Sequence, residues 1–572
     1  MTDTPRPTPV EKIWAPPEST ITPEASANLR EFHPVMRQLL FNRGKGNLRE
    51  AEDFLEARPP MNTDPFALLD MQKAIDRLEF AVKKGELIAV YGDYDADGVS
   101  ATALMVTALQ AVDANVRAYI PNRFDEGYGL NNEALSQLQN DGIQLVISVD
   151  CGIRSLDEAE HAKKIGLDLI ISDHHTPGDQ LPDALAVINP KRPGDPYPDK
   201  DLAGVGTAFK VASALMERMR PADFSVDSLL DLVAIGTVAD LVPMVGENRY
   251  LVQQGLMRLQ AAQRQGLNSL MGIAGIDPAR VTATNIGFGI GPRLNAAGRL
   301  ESAMDAYQLL TTKDVAEAGR LAQQLDNQNR ERQALTREMQ KLADAIAVTE
   351  GALPYLLFAA HADFNAGVVG LTAARLVEQY YRPAIVAHAD EETTRGSCRS
   401  IPEFHITNAL DQCADLLVHH GGHAAAAGFT VLNENRDALV SRLQAIAAEQ
   451  LGELDLRPTL LADAEVKLSD LTFNLLQDLD RLQPTGYGNP DPLFIARDLK
   501  VAQSRTVGRD SSHLKLTLTD GSRTLMDAIA FRFGHWKADM PERVDVMFQF
   551  EKNEYQGRVS LQLNVRDMKR AG

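Results

Sequence analysis

The stretch YGDYDADGVS, residues 91–100, places three aspartates at alternate positions directly after an apolar run. That run, residues 87–90, predicts a strand buried on both faces, and Gly98 followed by residues 99–109 predicts a turn and then a helix. Because side chains at a spacing of two share one face of an extended strand, the acids are expected to crowd together. Like charges are tolerated at such distances mainly where a cation neutralises them. The stretch therefore predicts an α/β fold with a ligand site at the carboxyl end of a strand.

Two other interpretations of this stretch remain open. A solvated acidic turn would need no ligand at all. A calcium loop of the D-x-D-x-D-G type would use the same aspartates, but the Glu typical of its twelfth position is missing. Further candidate ligands elsewhere in the chain are needed to decide between a cation site and these alternatives.

The composition limits the class of protein. The chain has 572 residues, of which 44% are hydrophobic, so it can form three or four domains with separate cores. No apolar run has the length of a membrane span and the opening MTDTPRPTPVEKIW lacks the layout of a signal peptide, so a cytoplasmic protein without membrane contact is expected. The three cysteines show no CxxC spacing and are expected to be reduced and incidental.

The formal net charge of −20 argues against broad, non-specific binding to duplex DNA, which normally requires an excess of Lys and Arg. The charge does not exclude a nucleic-acid enzyme, because a protein that collects metal ligands carries acids that the ions offset. A narrow basic groove is also compatible with an acidic exterior.

The pattern along the chain divides it into five segments. Pro-rich stretches and short helical patterns over 1–75 predict an N-terminal helical cap. Strands alternating with helices over 76–310 predict a doubly wound parallel sheet, and a helical pattern without breakers over 311–350 predicts one long connecting helix. A second α/β lobe is predicted for 351–455. Over 456–572, period-two alternation around Asp-Gly and Gln-Gly turns predicts hairpins that form a small OB-like β barrel.

Further candidate ligands follow other predicted strands. QLVISVD ends in Asp150, and LDLIISDHH ends in Asp173, His174 and His175. Asp240 follows in an otherwise apolar helical run. Either histidine alone is better explained as a satisfied structural residue. Acids and imidazoles at three successive strand ends are hard to explain structurally, however, and a site for two metal ions is the simplest interpretation.

The order of these residues resembles the DHH phosphoesterase superfamily, in which D-x-D-x-D-G, an isolated aspartate, a D-H-H triplet and a late aspartate follow one another. Four more stretches narrow the match, namely PNRFDEGYGL at 121–130, LAGVGTAF at 202–209, GPRLNAAGRL at 291–300 and GGHAAAAGF at 421–429, the last of which is similar to the DHHA1 domain. With the C-terminal barrel, nearly the whole chain resembles the RecJ family of bacterial single-strand-specific 5′→3′ DNA exonucleases. The triplet alone would be weak evidence, whereas the ordered set is specific.

The resemblance implies metal ligands at Asp93, Asp95, Asp97, Asp150, His174 and Asp240. The catalytic set that it implies is Asp95, Asp97, Asp150, His174, His175 and Asp240. Asp150 is the expected bridge between two divalent ions, for which Mn²⁺ or Mg²⁺ suits a set of mostly carboxylate oxygens. One departure is that Tyr91 stands where small family members carry a histidine, which puts in doubt how the ion nearest Asp95 is held.

The second lobe contains candidate DNA-binding residues. RGSCRS at 395–400 spaces a serine and an arginine as neighbours on one strand face, and hydroxyls and guanidinium groups suit a terminal phosphate. The resemblance implies 5′-phosphate and DNA contacts at Arg123, Arg293, Asn295, Ser397, Arg399 and His423. Without it, a surface salt bridge would better explain any single arginine, and a structural role would better explain the histidine. The glycine-rich segments 204–206 and 287–293 either approach phosphate closely or form tight turns.

The resemblance thus predicts a metal-dependent exonuclease that hydrolyses single-stranded DNA to 5′-mononucleotides in DNA repair and recombination. The expected partners are single-stranded DNA, a single-strand-binding protein and a helicase, and a monomeric chain is expected. One alternative is a small-substrate DHH phosphoesterase that acts on oligonucleotides or cyclic dinucleotides, although such relatives usually lack the long N-terminal region and the barrel. The other alternative is a non-catalytic nucleic-acid-binding scaffold, which would have lost ligands that are present here.

Overall fold

The structure is a computed structural model that describes residues 10–122, 126, 129–348, 353–522, 524–555 and 557–572. The described residues form two compact units. The larger unit holds residues 16–328 and 462–572, and the smaller unit holds residues 10–15 and 329–461.

The strands and helices are numbered in chain order. The strands are β1 Ile13–Ala15, β2 Leu87–Gly92, β3 Asn115–Tyr119, β4 Leu145–Val149, β5 Asp168–Ser172, β6 Ala186–Ile188, β7 Leu357–His361, β8 Ala384–Ala389, β9 Thr393–Arg399, β10 Leu417–His423, β11 Ala426–Leu432, β12 Thr459–Leu461, β13 Ala464–Glu465, β14 Phe494–Val507, β15 His513–Thr519, β16 Met526–Ala530, β17 Arg543–Tyr555 and β18 Arg558–Arg570. The α-helices are α1 Pro23–Asn28, α2 Pro34–Asn42, α3 Leu48–Leu55, α4 Met71–Lys84, α5 Ala96–Ala111, α6 Asn132–Asn140, α7 Leu156–Lys164, α8 Gly204–Met219, α9 Leu230–Ala239, α10 Gly246–Gln260, α11 Gln265–Ala274, α12 Ala283–Asn285, α13 Gly291–Leu300, α14 Met304–Thr311, α15 Val315–Ala347, α16 Val369–Tyr380, α17 Ile406–Asp411, α18 Asn433–Leu451 and α19 Phe473–Asp480. A π-helical turn, Ile286–Ile290, joins α12 to α13.

A five-stranded parallel sheet, in the order β3-β2-β4-β5-β6, forms the centre of the larger unit. Strand β2 is buried on both faces because its side chains alternate between two separate hydrophobic cores. Ile88 and Val90 pack into the core that contains α5 and α8, whereas Ala89 and Tyr91 pack into the core that contains α6 and α7. The predicted doubly wound parallel sheet is therefore confirmed.

The turn between β2 and α5 differs from the sequence-based prediction. A turn at Gly98 with the helix from residue 99 is wrong, because α5 already begins at Ala96. Asp95 caps this helix, and its Oδ1 accepts hydrogen bonds from the backbone N–H groups of Asp97 at 2.9 Å and Gly98 at 3.0 Å. The cap satisfies N–H groups that have no partner within the helix. The three aspartates therefore converge because the chain turns, and not because they share one face of an extended strand.

The C-terminal segment forms the predicted barrel. Strands β14, β15, β16, β18 and β17 pair in that order, and a further pairing between β14 and β17 closes the ring. Helices α2 and α3 pack into the same hydrophobic core, so that Leu39 and Leu40 of α2 join Phe494 and Phe548 of the barrel. The N-terminal helices are thus part of the barrel's core, a contact that the sequence pattern did not indicate.

The smaller unit contains a mixed five-stranded sheet in the order β10-β11-β9-β8-β7, in which only β7 and β8 run parallel. Helices α16, α17 and α18 supply residues to its two hydrophobic cores. The long helix α15 begins in the larger unit and ends in the smaller one, as the prediction of a connecting helix required. Among the described helices, none combines the length and the apolar composition that crossing a membrane would require.

Candidate metal centre

Acidic and imidazole side chains meet at the carboxyl ends of β2, β4 and β5, which are neighbours in the parallel sheet. This edge of an open α/β sheet is where ligands usually bind. Three overlapping groups of side chains bring potential ligand atoms within 4.8 Å of one another. The groups are Asp93, Asp95 and Asp150; Asp97, His174 and Asp240; and Asp150, Asp173, His174 and His175.

The carboxylate of Asp97 is held by the beginning of α8. Its Oδ2 accepts a hydrogen bond from the N–H of Gly204 at 2.8 Å, and its Oδ1 accepts one from the N–H of Val205 at 3.0 Å. These N–H groups at a helix N-terminus favour an anion there. The glycine-rich segment 204–206, which the sequence offered as a phosphate loop or a tight turn, therefore binds a carboxylate of the protein itself.

Asp150 lies at the centre of the cluster, where β4 ends. Its backbone is left-handed, with φ at +63°, and its side chain is buried. A Cβ atom at Gly204 would lie 2.2 Å from Asp150 Oδ1, so only glycine leaves room for this carboxylate. Oδ1 accepts no hydrogen bond from any described residue, and His174 Nε2 lies 3.2 Å from it. A buried carboxylate oxygen that accepts no hydrogen bond is suited to coordinate a metal ion.

The side chains of the D-H-H triplet differ in their contacts. The Asp173 carboxylate accepts hydrogen bonds from the backbone N–H groups of Ile153, His174 and His175, and it pairs with His175 Nδ1 at 2.8 Å. Asp173 therefore holds the turn and the His175 ring in place. His174 instead directs Nε2 towards the cluster, 3.5 Å from Asp240 Oδ2.

Burial and mutual repulsion favour the protonated forms of the clustered acids. Burial, reinforced by Asp240 and Asp95, raises the pKa of Asp97 well above its usual value, and burial with Asp97 does the same to the pKa of Asp150. Burial and Asp95 raise the pKa of Asp240 to about 7.

The two histidines respond to the same surroundings in opposite ways. Burial, with a contribution from His175, lowers the pKa of His174 to about 3, which keeps its imidazole neutral and able to coordinate a metal. Burial also opposes the charged form of His175, but the hydrogen bond and charge of Asp173 outweigh it and raise the pKa of His175. Carboxylates that repel one another beside a neutral imidazole fit hard divalent cations such as Mn²⁺ or Mg²⁺.

Tyr91, the one departure from the family pattern, lies away from this cluster. Its ring is buried among the residues of the core next to α6 and α7. Its hydroxyl donates a hydrogen bond to the Gly129 carbonyl at 3.0 Å. Tyr91 therefore has a structural contact here, and Asp93 and Asp95 lie in the cluster with Asp150.

The residues predicted to contact DNA are spread over both units. Arg123 lies outside the described residues. Arg293 on α13 forms an ion pair with buried Asp326, and Asn295 on the same helix accepts a hydrogen bond from the backbone N–H of Ala96 at 2.7 Å. Both side chains are thus used inside the protein, and Asn295 supports the loop that carries Asp95. Their contact with DNA stays a prediction.

In the smaller unit, Ser397 and Arg399 lie side by side on β9, as their spacing predicted. A Cβ atom at Gly370 would lie 3.0 Å from Arg399 Nη2 and 3.6 Å from Ser397 Oγ, so both side chains border the first turn of α16. His423 is exposed at the end of β10.

Comparison with known proteins agrees with this geometry. Three family models match the chain: the DHH family N-terminal domain over residues 87–237, the DHHA1 domain over residues 352–449 and the RecJ OB domain over residues 462–567. Together these matches cover the cluster of acids and histidines except Asp240, the sheet that carries Ser397 and Arg399, and most of the barrel.

Several curated proteins named single-stranded-DNA-specific exonuclease RecJ are similar over most of the chain. The Bacillus subtilis protein is 40% identical over 93% of this chain and 68% of its own length. The Salmonella typhimurium protein is 36% identical over 96% of this chain and 98% of its own length. Among solved structures, Thermus thermophilus RecJ in complex with Mn²⁺ is 30% identical, with a TM-score of 0.84 over 98% of this chain and 80% of that one. The same protein in complex with Mg²⁺ gives 29% identity and a TM-score of 0.78.

Proposed function

For a chain that belongs to the RecJ family of DHH phosphoesterases, we propose the activity of a metal-dependent 5′→3′ exonuclease that hydrolyses single-stranded DNA to 5′-mononucleotides. The observation that carries this proposal is the cluster of buried and partly buried acids with His174 at one edge of the sheet. A scaffold that had lost catalysis would have no reason to keep buried carboxylates that repel one another. The similarity over 98% of a full-length relative favours the exonuclease over the smaller phosphoesterases.

We assign Asp93, Asp95, Asp97, Asp150, His174 and Asp240 as ligands of two divalent ions. When bound, these ions would activate a water molecule and offset the charge of the scissile phosphate. The N–H groups of Gly204 and Val205 hold Asp97 in place, and Asp173 holds His175. Since Nδ1 of His175 is committed to Asp173, any proton that His175 exchanges with the substrate moves through Nε2.

The end specificity is assigned to Ser397 and Arg399. A guanidinium group, a hydroxyl and the first turn of a twelve-residue helix together suit a terminal 5′-phosphate. His423, at the end of β10 in the same unit, would contact the DNA backbone. We place this activity in the cytoplasm, where a monomer would act with a single-strand-binding protein and a helicase.

The test is hydrolysis of a 5′-phosphorylated oligonucleotide labelled at either end, with Mn²⁺ present. A 5′ label should appear at once as a mononucleotide, whereas a 3′ label should pass through a ladder of shortened strands, and a blunt duplex should resist. Release of the 3′ label first, or equal cleavage of the duplex, would contradict the proposal.

Asp150→Asn tests the ligand assignment in the same assay. Removing one charge from the central carboxylate should lower kcat by roughly a thousandfold, because metal ions contribute several kcal/mol of charge stabilisation in the transition state. The variant should stay folded by circular dichroism and lose the Mn²⁺-dependent rise in melting temperature. Asp157→Asn, an exposed acid in the first turn of α7, is the matched control and should match the unsubstituted protein. Near-normal activity of Asp150→Asn would reject the assignment.

A further inference from the structure

Phe288 is an aromatic side chain that the fold holds in solvent. It is 83% exposed, at the middle of the π-helical turn Ile286–Ile290. Ile286 and Ile290, at the two ends of the turn, are completely buried. The turn therefore anchors itself through its ends and directs its largest apolar side chain outwards. Packing within the described residues does not account for the ring, and π-helical turns are frequent at functional sites.

The turn is fixed from inside the protein. Arg293 donates a hydrogen bond to the Gly289 carbonyl at 2.7 Å, and its guanidinium group pairs with Asp326 on α15 at 2.8 Å. A Cβ atom at Gly289 would lie 2.7 Å from Ile276, so the backbone there is packed closely against its neighbour. An exposed ring on a fixed turn loses little conformational entropy when it binds a flat partner.

The turn also adjoins the metal centre. The Cβ positions of Gly287 and Gly291 would lie 3.7 Å from Val238 and 3.3 Å from Ala239, the last two residues of α9 before Asp240. Helix α13, which continues the turn, carries Asn295 to the N–H of Ala96, the first residue of α5 after Asp95. The segment that bears Phe288 is thus attached to two sides of the ligand cluster.

We propose that Phe288 stacks on a nucleobase of the single strand next to the scissile phosphate. The inference rests on the proposed function, since the acids next to this turn would hold the scissile phosphate. Every base has a π-face, so the contact would hold any sequence. Bases in a duplex remain stacked on their neighbours and would not offer that face, so the ring would favour single strands. A single ring is also smaller than the apolar patches that usually bind proteins.

The test compares Phe288→Leu, which keeps an apolar side chain, with Phe288→Trp, which keeps an aromatic one. On single-stranded oligonucleotides, Phe288→Leu should raise KM about tenfold while kcat stays within a factor of about three, because one base–aromatic stack is lost. Phe288→Trp should keep the KM of the unsubstituted protein. Phe80→Leu, a half-exposed phenylalanine on α4, is the matched control and should change neither constant.

Abasic substrates identify the stacked base. In the unsubstituted protein, removing the base at one position near the 5′ end should raise KM by the same factor, and in Phe288→Leu that removal should have no further effect. In an Asp150→Asn background, single-stranded DNA should quench the fluorescence of Phe288→Trp beyond any change in the native Trp14 and Trp536. Equal KM values for Phe288→Leu and the unsubstituted protein would overturn the inference, as would a fall in kcat alone or an absence of quenching. Failure of the proposed function would look different, because the unsubstituted protein itself would then not degrade single strands.

Discussion

Three glycines from three different elements make room for three of the clustered carboxylates. A Cβ atom at Gly204 would lie 2.2 Å from Asp150 Oδ1, and one at Gly236 would lie 2.4 Å from Asp97 Oδ1. A Cβ atom at Gly98 would lie 2.7 Å from the Asp93 backbone. None of these three glycines has a left-handed backbone, so another residue could adopt their conformations. These glycines instead let their elements approach the aspartates closely, so the site requires glycine at these positions as much as it requires the acids.

Gly204→Ala should therefore damage the site while leaving the fold intact. The added methyl group has to displace Asp150, so we expect the Mn²⁺ concentration for half-maximal activity to rise at least tenfold. Gly319→Ala is the matched control, since Gly319 is also helical and has open space at its Cβ position. It should keep full activity and gain roughly 0.5–1 kcal/mol in the free energy of unfolding. Equal metal titrations for the two variants would reject this role for Gly204.

The structure brings together the acids and the histidine that the sequence singled out, but the sequence did not indicate the residues that support them. Asp150 and His174 follow apolar strands. The carboxyl ends of neighbouring parallel strands lie at the same edge of a sheet, so the two side chains could be expected to lie close together. The supporting role of Asn295 depends on a contact between residues 96 and 295, which leaves no local pattern. The one signal that could have revealed the support of Asp97 was the glycine at position 204 at the start of a helix, which was also compatible with a phosphate loop.

At the scale of elements, helix α10 is tied to two distant segments by one buried arginine. Arg249 is 2% exposed and faces no acid among its hydrogen-bond partners. Its guanidinium group donates to the Phe54 carbonyl of α3 and to the carbonyls of residues 481–484, which follow α19. It also lies 4.2 Å from the Phe54 ring centroid. Burial lowers the pKa of Arg249 to about 10, which still leaves it charged at neutral pH.

Arg249→Met should loosen these segments from the centre of the larger unit. The volume is nearly kept, but buried carbonyl groups lose their donors, at a cost of roughly 2–4 kcal/mol. Urea unfolding is monitored by circular dichroism. We expect the first transition of Arg249→Met to have its midpoint at a lower urea concentration than that of the unsubstituted protein. Arg49→Met, whose arginine on α3 is 86% exposed, should shift that midpoint by less than a tenth as much. An unchanged midpoint for Arg249→Met would show that the carbonyl groups find other partners.

Elements such as β2 and α15 could be predicted because burial on both faces gives β2 a continuous apolar run, and α15 is a long helical pattern without a breaker. The beginning of α5 could not, since the Asp95 cap competes with the glycine signal three residues later. The π-helical turn also has no repeat of its own. These errors lie at element ends, where a single side-chain hydrogen bond decides the backbone conformation.

At the scale of the whole molecule, the barrel carries candidate DNA contacts on its surface. Phe533 and Trp536 pack against the barrel core, but Phe531 is 50% exposed and lies 5.2 Å from the His513 ring. Arg505 and Arg509 are exposed on and just after β14. These residues are suited to a single strand that extends beyond the catalytic centre.

Replacing both arginines by glutamine should weaken binding to long single strands in a salt-dependent way. Each lost phosphate contact should lower the slope of log K against log salt by roughly 0.7, and thus by roughly 1.4 for the pair. Hydrolysis of short oligonucleotides should not change. Lys163 and Lys164, two exposed lysines on α7, provide the matched double substitution, which should leave the slope unaltered. An unaltered slope for the arginine pair would favour a protein-docking role for the barrel.

Deleting the barrel would test its DNA contacts less cleanly than this double substitution, because α2 and α3 share the barrel's core. That shared core also has a consequence for biosynthesis. Leu39 and Leu40 leave the ribosome while most of the chain that buries them is still untranslated. Roughly 400 residues separate α3 from β13, and at typical elongation rates they take on the order of a minute or less to synthesise. During that interval the apolar face of α2 lacks its partners in the barrel, so we expect the nascent N-terminus to be a binding site for chaperones.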